Sequence, residues 1–226
     1  MSPAGIPALS PVEARALFVL VEKQHTVPDT YPMTLNSLLA GCNQKTSRDP
    51  VMSLRESELI EAIDRLKSRT LVIETSGGRV MRYEQNVRRV IEMPSAALAL
   101  MTALVLRGPQ TSGELRQHSE RLHRFVDISS VEAYLDEMAE RGGRPLVTQL
   151  PRQPGSRESR WAHLLCGPVQ VAGESMVASA KPVGRDAPAE SDDLRHELAQ
   201  TRDELARLRR RFDALCAHLG WQDDAD

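Results

Sequence analysis

Aromatic rings are scarce in this 226-residue chain: two Trp, three Tyr and three Phe are all it has. A groove that stacks successive bases of a single strand needs a run of rings, so that class of nucleic-acid binder is excluded. Core filling falls instead to Leu, Val, Ile, Met and Ala, as in compact helical domains. Cysteine is equally sparse. Cys42, Cys166 and Cys216 are odd in number and far apart, which excludes a disulfide framework and reads as reduced thiols of a cytoplasmic protein. Long apolar runs are missing too. Met93–Leu106, 14 residues, suits a buried helix rather than a membrane span. Met1–Ser10 has neither a basic region nor a continuous apolar run, so no secretory leader is expected. Finally, charge of one sign is lacking. The formal net charge is −2, made of +1 over 1–92, +1 over 93–166 and −4 over 167–226, without the strongly basic footprint of a tight nucleic-acid binder.

What is present is punctuation. Ser10-Pro11-Val12-Glu13 supplies a cap, a proline at the first helical position and a carboxylate at the third, predicting a helix from about Pro11 to Gln24. Two prolines make His25–Pro32 a loop. Thr34 caps a short helix with Leu35, Leu38 and Leu39 on one face and Gly41 as its stop. A third helix, Arg55–Arg69, carries Leu59, Ile60, Ile63 and Leu66 inward. Leu71–Thr75 and Arg79–Tyr83 around Gly77-Gly78 then read as a hairpin.

The same order recurs. Met93–Arg107 is a helix stopped by Gly108-Pro109, and Thr111-Ser112-Gly113-Glu114 is a capping box for a second helix. Ser129-Ser130-Val131-Glu132 is another, opening a third helix, Ser130–Arg141. Pro145–Leu150 and Arg160–Leu165 are strands. Leu71-Val72 and Leu146-Val147 fall at matching points. Helix–helix–helix–hairpin twice is the order of tandem winged helices. The expected fold is therefore mainly α with small β-hairpins (α+β): winged-helix domains over 9–92 and 93–166, a flexible linker over 167–190 and a coiled-coil helix over 191–220. In that helix Leu194, Thr201, Leu208 and Leu215 fill one heptad core position, and Leu198, Leu205, Phe212 and Leu219 fill the other. Glu197 and Glu204 stand against Arg202 and Arg209, as in a parallel dimeric coil. A homodimer is the expected state; a helix folded back on its own domains is the alternative.

Catalytic patterns are absent: no zinc-protease helix, nucleophile elbow, dinucleotide glycine turn or paired CxxC. Gly108–Gly113 has phosphate-loop spacing, but Glu114-Leu115 stands where Lys and Ser/Thr are required. His118 and His123 have zinc-finger spacing without cysteine partners and read as solvent-facing. Cys42 with His25 as base is outweighed by the reading of a small buried thiol. No catalytic residue, metal or cofactor is expected, and the chain is read as not an enzyme.

Binding remains. A winged helix sends its third helix into the major groove and its wing to the backbone. Here the first third helix is mixed in charge, and the second has Glu132, Asp136, Glu137 and Glu140 against Arg141 alone, which repels phosphates. The candidate nucleic-acid-binding residues lie elsewhere: Lys45, Arg48 and Arg55 around the start of the first third helix, Arg79 and Arg82 at the first wing, Arg116, Arg121 and Arg124 after the second helix of the second unit, and Arg157 and Arg160, with Arg152, at its wing. The alternative is that these arginines simply solvate loops. The polar stretch Gln24–Asp49 is either a binding surface or a self-bonded loop scaffold around Tyr31 and Pro32.

Lys23–Met52 (KQHTVPDTYPMTLNSLLAGCNQKTSRDPVM), Leu106–Thr111 (LRGPQT), Glu120–Arg124 (ERLHR) with Ser129–Glu132, and Pro154–Leu164 (PGSRESRWAHL) resemble, in order over about residues 9–166, the YceH-like family of uncharacterised bacterial proteins. The resemblance implies a pair of winged-helix domains, sometimes with a coiled-coil tail, and no reaction, cofactor or ligand. Two functions follow as expectations. The first is a regulatory protein contacting duplex DNA backbone through wings and loops. The second is a scaffold that docks a protein partner and no DNA. Neither involves a membrane.

Overall fold

The computed structural model describes residues 8–76, 80–142, 144–152, 155–156 and 158–169. Arg79, Arg157, nearly all of the expected linker and the whole heptad segment, including Leu194, Leu198, Leu205, Leu208, Phe212, Leu215 and Leu219, lie outside the described residues. The chain divides into Met1–Ala172 and Gly173–Asp226; the first unit alone is treated below. It is a mixed α/β unit with seven α-helices and small antiparallel sheets among the described residues.

Helix α1 spans Pro11–Thr26. It begins where the capping box places it: Ser10 Oγ accepts from the Glu13 amide at 3.2 Å, and the Glu13 carboxylate accepts from the Ser10 amide at 2.8 Å. The helix runs two residues beyond Gln24, and a single 3₁₀ turn at Pro28–Thr30 fills the expected loop. Every residue from Glu13 to Val21 is buried. A helix buried on all sides must be packed on more than one, and α1 lies against α2 (Leu35–Cys42), α3 (Glu56–Ser68) and α5 (Ser95–Arg107).

Thr34 caps α2 through the Ser37 amide. Gly41 does not stop it; the helix continues to Cys42. The glycine serves close packing, because a Cβ there would lie 2.7 Å from Val19 Cγ1 on α1.

The first sheet has three strands, β1 (Met33–Thr34), β2 (Val72–Thr75) and β3 (Arg82–Gln85), in the order β1-β3-β2. The pairing ends at Thr75 with Arg82, and the second strand is Arg82–Gln85 where Arg79–Tyr83 is expected; the expected Gly77-Gly78 turn lies outside the described residues. Tyr31 Oη accepts the Gln85 amide at 2.7 Å and so fastens the 3₁₀ segment to β3. A five-residue helix that sequence reading does not anticipate, α4 (Val87–Ile91), follows with Val87 and Ile91 buried.

Helix α5 is buried from Ala96 to Leu106 and ends at Gly108, whose φ of +73° suits glycine. Thr111 and Glu114 form the expected box at α6 (Ser112–Ser119). Helix α7 spans Ile128–Ala139 and starts earlier than expected. Its cap is Asp127, accepting the Ser130 amide at 2.7 Å, not Ser129. Strands β4 (Val147–Gln149) and β5 (Trp161–His163) pair antiparallel. Gln110, one residue before the α6 cap, exchanges backbone hydrogen bonds with Trp161 at 3.1 and 2.7 Å. It thus stands to β5 as β1, at the α2 cap, stands to β3.

One buried cluster runs from Leu9 to Leu165 and draws on both halves. Backbone bonds close it, from Leu9 N–H to Leu165 O at 2.9 Å and from Asp49 N–H to Leu106 O at 2.8 Å.

Candidate functional site

The outward faces of the two third helices are acidic. On α7 the exposed positions are Ile128, Ser129, Glu132, Ala133, Asp136 and Glu137. Its one nearby cation, Arg141, turns back to donate to Ile91 O at 2.8 Å. On α3 Glu56, Glu61 and Asp64 are exposed, and the cations near its end are held in pairs. Arg65 reaches the buried Glu13 carboxylate at 2.7 Å and Glu61 at 3.8 Å. Lys67 is bound to Glu74, and Arg69 lies 3.3 Å from Glu13. Neither helix offers free positive charge to a phosphate.

The basic residues singled out from sequence divide into two groups. Most are engaged. Arg48, expected on the surface, has a fully buried side chain that donates to both Glu22 carboxylate oxygens at 3.2 and 2.6 Å and to Gly41 O at 3.3 Å. Burial pushes the Glu22 carboxyl up, but the hydrogen bonds and charge of Arg48 outweigh it and hold the group below its ordinary value. Arg55 pairs with Glu58 at 3.2 Å. Arg82 donates to Pro32 O at 2.8 Å, Arg116 to Val126 O at 3.0 Å and Arg160 to Pro109 O at 3.3 Å. By contrast, Lys45, Arg121 and Arg124 are exposed and make no hydrogen bond or ion pair among the described residues. So are Arg88 and Arg89, which sequence reading missed. They line a cleft of about 480 Å³ with Glu84 and Gln85. The Arg-Arg pair was visible, but no cap or period marked the short helix that displays it.

The polar stretch Gln24–Asp49 is largely bonded within the fold. Asn43 clamps Leu54 twice, accepting its amide at 2.7 Å and donating to its carbonyl at 2.9 Å. Gln44 accepts from Lys23 and Arg48. Cys42 is buried, and desolvation pushes its thiol up to about 12, with Arg15 and Arg48 partly opposing; such a thiol is not a nucleophile at neutral pH. His25 Nδ1 lies 3.2 Å from Val21 O of its own helix.

The two histidines expected to face solvent are half-buried. His123 meets Phe125 edge-on, with ring centroids 4.7 Å apart, and His118 Nδ1 bonds Gln110 Oε1. Among the described residues no cluster of His, Cys, Asp and Glu could hold a metal, and no helix is long and apolar enough to cross a membrane.

A family model described as a protein of unknown function, DUF480, matches residues 9–177. A UPF0502 protein of Leptothrix cholodnii is 58% identical over 213 residues, covering 94% of this chain and 96% of its own. UPF0502 proteins of Burkholderia lata and Burkholderia orbicola are 54% and 52% identical over 226 and 224 residues, each covering 99% of this chain and 94% of the relative.

Proposed function

We propose that this chain, which belongs to the DUF480 family of proteins of unknown function, is a non-enzymatic interaction module. In this reading it has two winged-helix units whose third helices dock a basic segment of a protein partner. The helix order, with β1 and the Gln110 bridge at equivalent places before the second helix of each unit, supports the winged-helix reading. The observation that carries the function is the face of α7, where Glu132, Asp136 and Glu137 are exposed and form no ion pair among the described residues. Such a face costs affinity for phosphates and complements a cationic surface. The heptad over 191–220 supports a homodimer presenting two such faces.

The second reading, association with duplex DNA backbone, is favoured by the exposed Arg121 and Arg124 between α6 and α7 and by Arg88 and Arg89 on α4. Fluorescence anisotropy of a labelled generic duplex against the full-length protein, from low to high salt, separates the two. The docking reading expects no binding at about 10 μM protein in low salt, within the range where non-specific binders register. It also expects Glu132→Lys combined with Glu137→Lys to lose a crosslinked partner in cells. Duplex binding that weakens steeply with salt, and that Arg121→Ala with Arg124→Ala removes, would install the DNA reading instead.

A further inference from the structure

Between the first half's 47–49 loop and the second half's α5–α6 turn lies a polar cavity of about 270 Å³. Its donors are guanidinium groups. Arg107, at the last position of α5, is half-buried and has no hydrogen bond or ion pair among the described residues. Its guanidinium is thus available to an anion in the cavity. Arg160 reaches in from β5's approach, with Nη1 on Pro109 O and Nη2 3.7 Å from Glu114 Oε1. Arg48 also lines the cavity, but its charge is met by Glu22.

The acceptors are fixed by the same turn. Gly108 has no Cβ, and one built there would lie 2.9 Å from Asp49 Oδ2, so the glycine leaves room for that carboxylate. The Asp49 amide is tied to Leu106 O. Gln110 is buried, and its amide nitrogen donates to Ala103 O at 3.0 Å and Gly108 O at 3.1 Å. Its Oε1 is therefore the acceptor for His118 Nδ1–H, which leaves Nε2 of a neutral imidazole as an acceptor. Burial and the charge of Arg107 hold His118 below its ordinary value, with Glu114 partly opposing.

From this geometry we infer that the cavity is a binding site for a small phosphorylated polyol, its phosphate on Arg107 and Arg160 and its hydroxyls on Asp49, Glu114 and His118 Nε2. The two carboxylates limit it to a single phosphate head and disfavour the phosphate row of a duplex. The site joins both halves of the unit and does not depend on the docking reading above.

Isothermal titration of the full-length protein with ribose 5-phosphate, inorganic phosphate and ribose tests it. Ribose 5-phosphate is expected to bind, inorganic phosphate at least about fivefold more weakly, and ribose not detectably. Arg107→Gln is expected to weaken ribose 5-phosphate at least tenfold while the melting temperature holds, since no hydrogen bond or ion pair among the described residues uses that guanidinium. Asp49→Asn, at an exposed position, should weaken ribose 5-phosphate relative to inorganic phosphate, which binds as tightly or more tightly once the carboxylate charge is gone; it serves as the test should Arg107→Gln not fold. Arg152→Ala, outside the cavity, should change nothing. Absence of ribose 5-phosphate binding at millimolar concentration overturns the proposal. So does binding unaffected by either cavity variant, or equal affinity for inorganic phosphate.

Discussion

At the scale of single residues, burial decides what each polar group can do. Arg48 and Arg121 are both arginines in polar sequence surroundings, yet one is sealed against Glu22 and the other stands in solvent. Composition and position along the chain do not distinguish them, because the difference arises from the Gly41 carbonyl and Glu22 brought together by α1 and α2. His163 is the sharpest case. Its Nδ1 is buried without a hydrogen-bond partner, and desolvation pushes the imidazole down to about 4. The folded state therefore favours neutral His163, whereas the unfolded chain takes up a proton near the ordinary 6.5. Stability from this residue is fully present above about pH 6.5 and falls as the pH drops toward 4, where the folded form also protonates. Each pH step of one between those values is worth about 1.4 kcal/mol, so the loss by pH 4 is about 2–3 kcal/mol. Urea unfolding between pH 7.5 and pH 4 should show this slope in the wild type and a flatter one in His163→Gln. Parallel slopes would show that the imidazole is not desolvated in the fold.

At the scale of elements, caps were the most readable features and short pieces the least. Ser10, Thr34 and Thr111 start α1, α2 and α6 as their local patterns require, because each cap is satisfied within three residues. At α7 two patterns overlap, Asp127 with Ser130 and Ser129 with Glu132, and local rules alone do not choose between them. Strand β1 has two residues and α4 five, too few for any period, so they exist through their pairing and burial. The cavity was illegible for the same reason. Arg107 read as the end of a helix, His118 as a solvent-facing histidine and Gln110 as nothing in particular until the turn at Gly108 folds them against Asp49.

Gly41 gives a case where two element-level effects oppose each other. A glycine inside a helix is disfavoured by about 1 kcal/mol relative to alanine, so propensity alone makes Gly41→Ala stabilising. A methyl 2.7 Å from Val19 Cγ1 instead forces α2 off α1, at about 1–3 kcal/mol. Packing outweighs propensity, and a net loss of about 1 kcal/mol is expected. In a Val19→Ala background the sign should reverse, giving a coupling that a double-mutant cycle reads directly. Additive effects would mean the helices separate freely at this point.

At the scale of the whole described unit, the two sequence repeats share their interior. An amphipathic helix needs one apolar face, but α1 from Glu13 to Val21 and α5 from Ala96 to Leu106 are buried on every side. Each therefore packs against its own half and against the other, and the apolar run of α5 that argued against a membrane span is accounted for by this central place. The charged side chains inside α1 follow from the same arrangement: Glu13 is met by Arg65 and Arg69, and Arg15 donates to Pro50 O at 2.7 Å. A repeat that folds as an independent bead would leave one face of α1 or α5 exposed, and neither helix shows one. Cooperativity should then span both halves. Leu104→Ala, at a fully buried position of α5, is expected to cost about 3 kcal/mol, the middle of the range for leucine truncation in a packed core. Native-state hydrogen exchange of this variant should quicken at the most protected amides of α3 in the first half as much as at those of α7 in the second, because both open only with the shared core. Faster exchange confined to residues 93–166 would mean that the two halves hold separate cores, and that the contact between α1 and α5 is a surface rather than an interior.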